Sequence, residues 1–161
     1  MPSAYYVKLG SGADQISGAS RDRHHIGWIK LVSFWMGDSR ANAATAAAGP
    51  GSVTSFEVIV TKLTDRASTD VYKAASGGRA FKSAMIEIAD EKSGVPKLRV
   101  TLTDVMLENF SANGATLSRG PTETFKLSFA NVELNHNPIA EESVGDILQT
   151  AFRSLGLAPA H

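Results

Sequence analysis

Apolar residues recur at two different periods along this chain, and the change of period divides it. From Tyr5 to Leu134 the spacing is close to two. The clearest stretches are Leu98–Phe110 (LRVTLTDVMLENF) and Glu123–Leu134 (ETFKLSFANVEL), both without Gly or Pro and rich in Val, Leu, Thr and Phe. That composition suits a pleated, half-buried strand. In the first stretch Leu98, Val100 and Leu102 share a face, and the apolar positions then change parity to Val105 and Leu107, with Thr103–Asp104 at the break. In the second, Phe125, Leu127 and Phe129 give way to Ala130, Val132 and Leu134. A parity change inside a strand is what a bulge or a strong coil produces. Two long strands changing parity at matching depth predict a curled antiparallel pair, joined by a loop with Asn113–Gly114 and Gly120–Pro121 at its ends. The pattern fits a small barrel and an ordinary sandwich hairpin equally well.

Further strands are expected at Tyr5–Leu9, His24–Met36, Val53–Leu63 and Phe81–Ile88. Between Ile26 and Met36 both parities are largely apolar, so the second face calls for a cover, from this chain or from another copy of it. A short helix is expected from Ser68, a candidate N-cap, to Gly77, with Asp70 in its first turn. Its stripe of Val71, Ala74 and Ala75 places it on the sheet's flank. Six or seven strands and one helix before residue 138 mean a mainly-β sandwich or barrel.

Beyond Asn137–Pro138 the period becomes helical. Val144, Ile147, Leu148, Ala151, Phe152 and Leu155 recur as one face of an amphipathic helix, with Glu141 and Glu142 before it and Gly156 to stop it. The expected division is a β domain over residues 1–137 and a helical tail over 138–161. The tail's stripe must bury against its own domain, a neighbouring subunit or a partner, the first being the default.

Length and charge narrow the function. The chain has 161 residues, 43% hydrophobic and 20% charged, an ordinary globular composition for one domain. Sixteen basic and sixteen acidic residues cancel, which gives no electrostatic footprint for nucleic acid or an anionic membrane and permits self-association. There is no cysteine, so disulfides and thiolate metal sites are excluded. No stretch has the roughly 18 apolar residues of a membrane span. The amino terminus lacks a basic start followed by an apolar run, so the protein is expected to be made in the cytoplasm and to leave it, if at all, without a cleaved signal peptide.

Chemistry is sparse. His24 and His25, as strand neighbours, would point to opposite faces and could not share an ion. Asp104 is a candidate buried acid, more simply read as a carboxylate held at a bulge. Lys73, Arg79 and Lys82 cluster without the exposed aromatics of a nucleic-acid face. Nucleotide-binding, zincin and serine-hydrolase motifs are absent. No cofactor, metal or catalytic residue is expected.

The order of motifs is more specific. HIGWIKLVSFWMG (His25–Gly37) is followed by F-x-V-x-x-x-x-x-x-D-x-A-S (Phe56–Ser68), then S-G-G-R at the helix end, TLTDV (Thr101–Val105) and PTETFKLSFANVEL (Pro121–Leu134). Over about residues 4–137 this resembles the haemolysin-coregulated protein (Hcp) family, the tube subunits of bacterial type VI secretion. The resemblance implies a small β-barrel of two packed antiparallel sheets with one short flanking helix. It also implies a homo-hexameric ring, stacking into a hollow tube that is exported by a contractile sheath, capped by a spike protein and able to hold secreted effectors in its lumen. It gives the small-residue tract 37–52, longer than usual connections, a subunit-contact role, with Arg40, Asn42, Ala46, Pro50 and Ser52 as contact residues. The tail departs from the family, whose members end soon after the last strand. The runner-up is a monomeric ligand- or carbohydrate-binding β-barrel module; the Trp residues lie in strands rather than in loops, which disfavours it.

Overall fold

Strand β6, Pro96–Asn113, runs through the middle of the molecule and binds the rest to it. The computed structural model describes residues 2–38, 56–114 and 120–136. Among these, the other strands are β1 (Ser3–Leu9), β2 (Ile29–Leu31), β3 (Ser33–Asp38), β4 (Phe56–Leu63), β5 (Ala80–Asp90), β7 (Thr122–Ser128) and β8 (Asn131–His136), with one helix, α1 (Ser68–Gly77). All pairings are antiparallel and form one sheet in the order β2-β1-β5-β6-β7-β4-β3, with β8 added to β6.

The mainly-β class and the single flanking helix are as the pattern predicts. The sheet arrangement differs in detail: the strands make one sheet rather than two packed ones, and it is not a closed barrel. β2 and β3 are the two ends of the pairing path and do not pair with each other. The reason is that both corners are turned by continuous chain. At one corner β6 bends at Asp104, whose φ is 56°. Its inward residues pass from Val100 and Leu102 to Val105 and Leu107, all buried. β5 turns with it, since Phe81 faces Val105 and Ser83 faces Thr103 without a register shift. The parity change here is therefore strong coiling and not an inserted residue. A true irregularity comes later, between Glu108 and Ser111, where the register against β7 shifts and Asn109 has φ 54°.

The expected long strand over 123–134 is two strands, β7 and β8, broken at Phe129–Ala130. The break costs no register. Met106 faces Ser128 and Thr103 faces Asn131, three residues apart on each side. Ala130 also donates its N–H to the Thr103 carbonyl at 2.9 Å. β7 and β8 thus follow β6 round its corner.

The second corner lies at Val32. Ile29 and Leu31 point into the core from β2, while Phe34 and Met36 pack against it from β3. Parity changes between them, and Val32 donates its N–H to the Thr61 carbonyl at 2.7 Å. The two apolar faces expected for 24–36 are largely one inward face that changes parity midway. Within that stretch, residues 24–28 are turns and irregular chain and not strand.

Helix α1 packs Val71 and Ala74 into the core. Its start is one residue off the expected cap. Asp65 accepts the Ala67 N–H and Ser68 Oγ accepts the Asp65 N–H, so the two side chains fold the entry turn between them. Gly78, at φ 65°, closes the helix in the left-handed conformation, its N–H reaching the Ala74 carbonyl.

Because Asp104 holds a left-handed backbone, Asp104→Ala should lower stability by about 1 kcal/mol, and Asp104→Gly should not. Urea unfolding of the two variants checks this; equal losses would mean that the backbone there is unstrained.

Candidate functional site

Two buried polar clusters are the first places to look for chemistry. The loop between β1 and β2 lies over the outer face of the sheet and delivers His25, fully buried, to it. The ring stacks on Tyr6 with centroids 4.0 Å apart and meets Trp28 edge-on at 4.9 Å. Nδ1 lies 2.6 Å from Asp22 Oδ2, and Nε2 lies 2.7 Å from Glu87 Oε1. Arg99 Nε donates to Glu87 Oε2 at 2.5 Å. The network therefore joins the loop to β5 and β6. Burial alone would raise the Glu87 carboxyl, but the hydrogen bonds and positive charge from His25 and Arg99 hold it below the ordinary carboxylate range. The turn after β5 is fitted to the same place: Gly94 has φ 73°, and a Cβ there would run into the Asp22 carboxylate.

The second cluster is inside. Lys62 and Glu123 face each other across β4 and β7. Lys62 is fully buried, and its Nζ lies 2.9 Å from both Glu123 Oε1 and Asp65 Oδ1. It also donates to the Leu63 carbonyl at 2.9 Å and to Ser68 Oγ at 3.1 Å, while Thr64 donates to Glu123 Oε2 at 2.9 Å. Burial would raise the Glu123 carboxyl, but the hydrogen bonds from Lys62, Ser68 and Thr64 and the Lys62 charge together outweigh it and leave it lowered. This cluster joins two strands to the start of α1. Sequence reading missed it, yet it left a signal. Val58, Val60 and Lys62 share one parity, as do Glu123, Phe125 and Leu127. Each charge extends an apolar row by one step.

Both clusters tie separate segments of the fold together through paired charges. Asp104, read as a possible buried acid, is exposed at the corner of β6. His24 and His25 are on a turn and not in a strand, and both ring nitrogens of His25 are engaged by carboxylates. No group of three or more metal-binding side chains occurs among the described residues. Arg79 caps the 3-10 turn at residues 12–14, donating to the Asp14 carbonyl at 2.6 Å and lying over the Phe81 ring at 4.5 Å; Lys73 and Lys82 are exposed. The loop residues Arg40, Asn42, Ala46, Pro50 and Ser52 and the tail from 138 onward lie outside the described residues. A groove of about 950 Å³ runs beside β1 and β2, with Tyr5, Val32 and Leu63 among its lining and Asp22, Lys30 and Glu91 also on it. No helix among the described residues is long and apolar enough to cross a membrane.

The described residues thus form one antiparallel sheet with a single flanking helix, its buried ionisable groups paired with one another, and β8 leaves Val132 and Leu134 exposed on it. The family model described as "Type VI secretion system effector, Hcp" matches residues 6–136, and the chain belongs to this Hcp family. Among solved structures it is similar to Hcp1 from Salmonella typhimurium, with 25% identity, a TM-score of 0.69 and coverage of 84% of this chain and 87% of that one. A structure described as a type six secretion system protein shares 24% identity at TM-score 0.69, covering 84% of each chain. A type VI secretion system effector from Yersinia pestis shares the fold at 19% identity and TM-score 0.63, over 82% of this chain and 87% of that one. No curated protein matches the sequence.

The clusters predict two responses. Removing only one buried partner leaves the other charge uncompensated, so Lys62→Met should cost about 3–5 kcal/mol, and the double change Lys62→Met with Glu123→Leu should recover much of it; denaturant unfolding of both variants measures the difference. The lowered Glu87 and Glu123 carboxyls stabilise the fold fully above the ordinary carboxylate value of about 4.3, and that contribution is lost as pH falls through their lower folded values. Stability followed from pH 7 downward should decline on the acid side, and less steeply in Glu123→Gln than in the parent.

Proposed function

We propose that this chain is a tube subunit of a type VI secretion apparatus. It forms a homo-hexameric ring, the rings stack into a hollow tube, and the tube leaves the bacterial cytoplasm for the extracellular space or a target cell. Its partners are the contractile sheath around the tube, the spike protein at its tip and effector proteins within the lumen. Its work is architectural and not enzymatic. The observation that carries this reading is the family match, which spans residues 6–136 and so takes in every described strand except the beginning of β1. Supporting it, the buried ionisable side chains of the two clusters are paired with one another, one cluster fastening a loop to the sheet and the other joining β4 and β7 to the start of α1. A head-to-tail contact that closes on itself yields a ring of identical subunits.

In this reading the tract 37–52 reaches a neighbouring subunit, with Arg40, Asn42, Ala46, Pro50 and Ser52 at the contact. Small residues suit such a role because they let backbones approach closely.

Native mass spectrometry should find a species of six chains, each of 17.0 kDa. A protein that stays monomeric at high concentration would overturn the proposal. Deleting residues 43–48 should leave the unfolding transition in place while the six-chain species is lost or weakened; unchanged assembly would remove the loop from the contact.

A further inference from the structure

The inward face of the sheet does not stop where its cover stops. Directly paired residues in an antiparallel sheet project from the same face. Ile29 pairs with Val7, Val7 with Ile86, Ile86 with Val100 and Val100 with Leu134. The first four are fully buried, yet Leu134 is 54% exposed. The next row repeats this. Leu9, Ala84 and Leu102 are buried, and their neighbour Val132 is 39% exposed. Both rows thus run off the covered core onto β8, which among the described strands pairs with β6 alone. An apolar stripe that continues the core face at a sheet edge is a surface built for a cover.

From this and from the sequence that follows we infer that residues 144–155 of the same chain cover β8 as a helix laid across Val132 and Leu134. Three observations select this occupant. The chain leaves β8 at His136 and runs on for 25 residues, so the tail starts at the stripe itself. Residues 137–143, opening with Asn137–Pro138, can span at most about 23 Å, enough to reverse over a six-residue strand about 20 Å long. A helix over residues 144–155 is about 18 Å long, and its face of Val144, Ile147, Leu148, Ala151, Phe152 and Leu155 is the apolar surface that the rows lack. A reversing chain places Leu148 near Leu134 and Phe152 near Val132. This inference concerns one protomer and does not depend on the ring.

The absence of cysteine makes the test direct. In the full-length chain, Leu134→Cys is combined with Leu148→Cys, and Val132→Cys with Phe152→Cys. Controls combine Leu134→Cys with Gln149→Cys, off the stripe, and Glu133→Cys with Leu148→Cys, on the opposite strand face. After mild oxidation at low concentration, non-reducing denaturing electrophoresis and peptide mapping report the bridges. The two stripe pairs should close within single chains at least about tenfold faster than the controls, since a bridge needs Cα atoms within roughly 7 Å. Bridges that link two chains would assign the surface to a neighbour's tail, and stripe pairs no faster than controls would show that the tail does not lie there. Either result overturns the inference.

Discussion

A strand that turns a corner must keep its apolar side chains inside while the pleat alternates them between faces. β6 meets this requirement at Asp104, where one residue in the left-handed region lets the inward role pass from Leu102 to Val105. β5 on one edge and β7 with β8 on the other hold their register through the same bend. The segment 29–38 does the equivalent at Val32. Between them these two corners wrap one sheet around one core, with Phe81, Phe125 and Leu107 among its largest fully buried members.

The polar chemistry of the molecule serves this wrapping. His25 fastens the long loop after β1 to the outer face of β5 and β6. Lys62 and Glu123 fasten β4 and β7 to the entry of α1. In both cases the groups that resemble catalytic parts, a histidine between carboxylates and a buried lysine, are fully engaged by partners that the fold supplies. Such groups are costly to bury and costlier to leave half-paired, so they specify one arrangement of loop and sheet. That is what a subunit needs if its outside is to present the same surface every time.

Residue patterns carried a good deal of this. Alternation identified the strands, and the parity change in 98–110 located the corner at Thr103–Asp104. The small residues at 74 and 75 marked the flanking helix. Patterns misled where a corner imitates a second apolar face, as between Ile29 and Met36, and where one apolar period spans two strands, as at Phe129–Ala130. The candidate site was less legible. Asp104 stood out for its apolar neighbours and proved to be exposed, because at a bend the residue between two inward positions points out. Glu87 drew no attention, since its neighbours Ile86 and Ile88 take the core face and its own burial comes from a loop some sixty residues earlier in the chain.

By itself the sequence determined the mainly-β class, the place of the helix, the lack of thiol chemistry and the order of motifs shared with the Hcp family. All of these depend on residue type and on spacing along the chain. Only the tertiary structure decided that there is one sheet and not two, that Lys62 meets Glu123 and His25 meets Glu87, and that the core face runs out exposed on β8. Those facts depend on which strands become neighbours, and a strand's period of two states which side chains share a face without stating what lies opposite them.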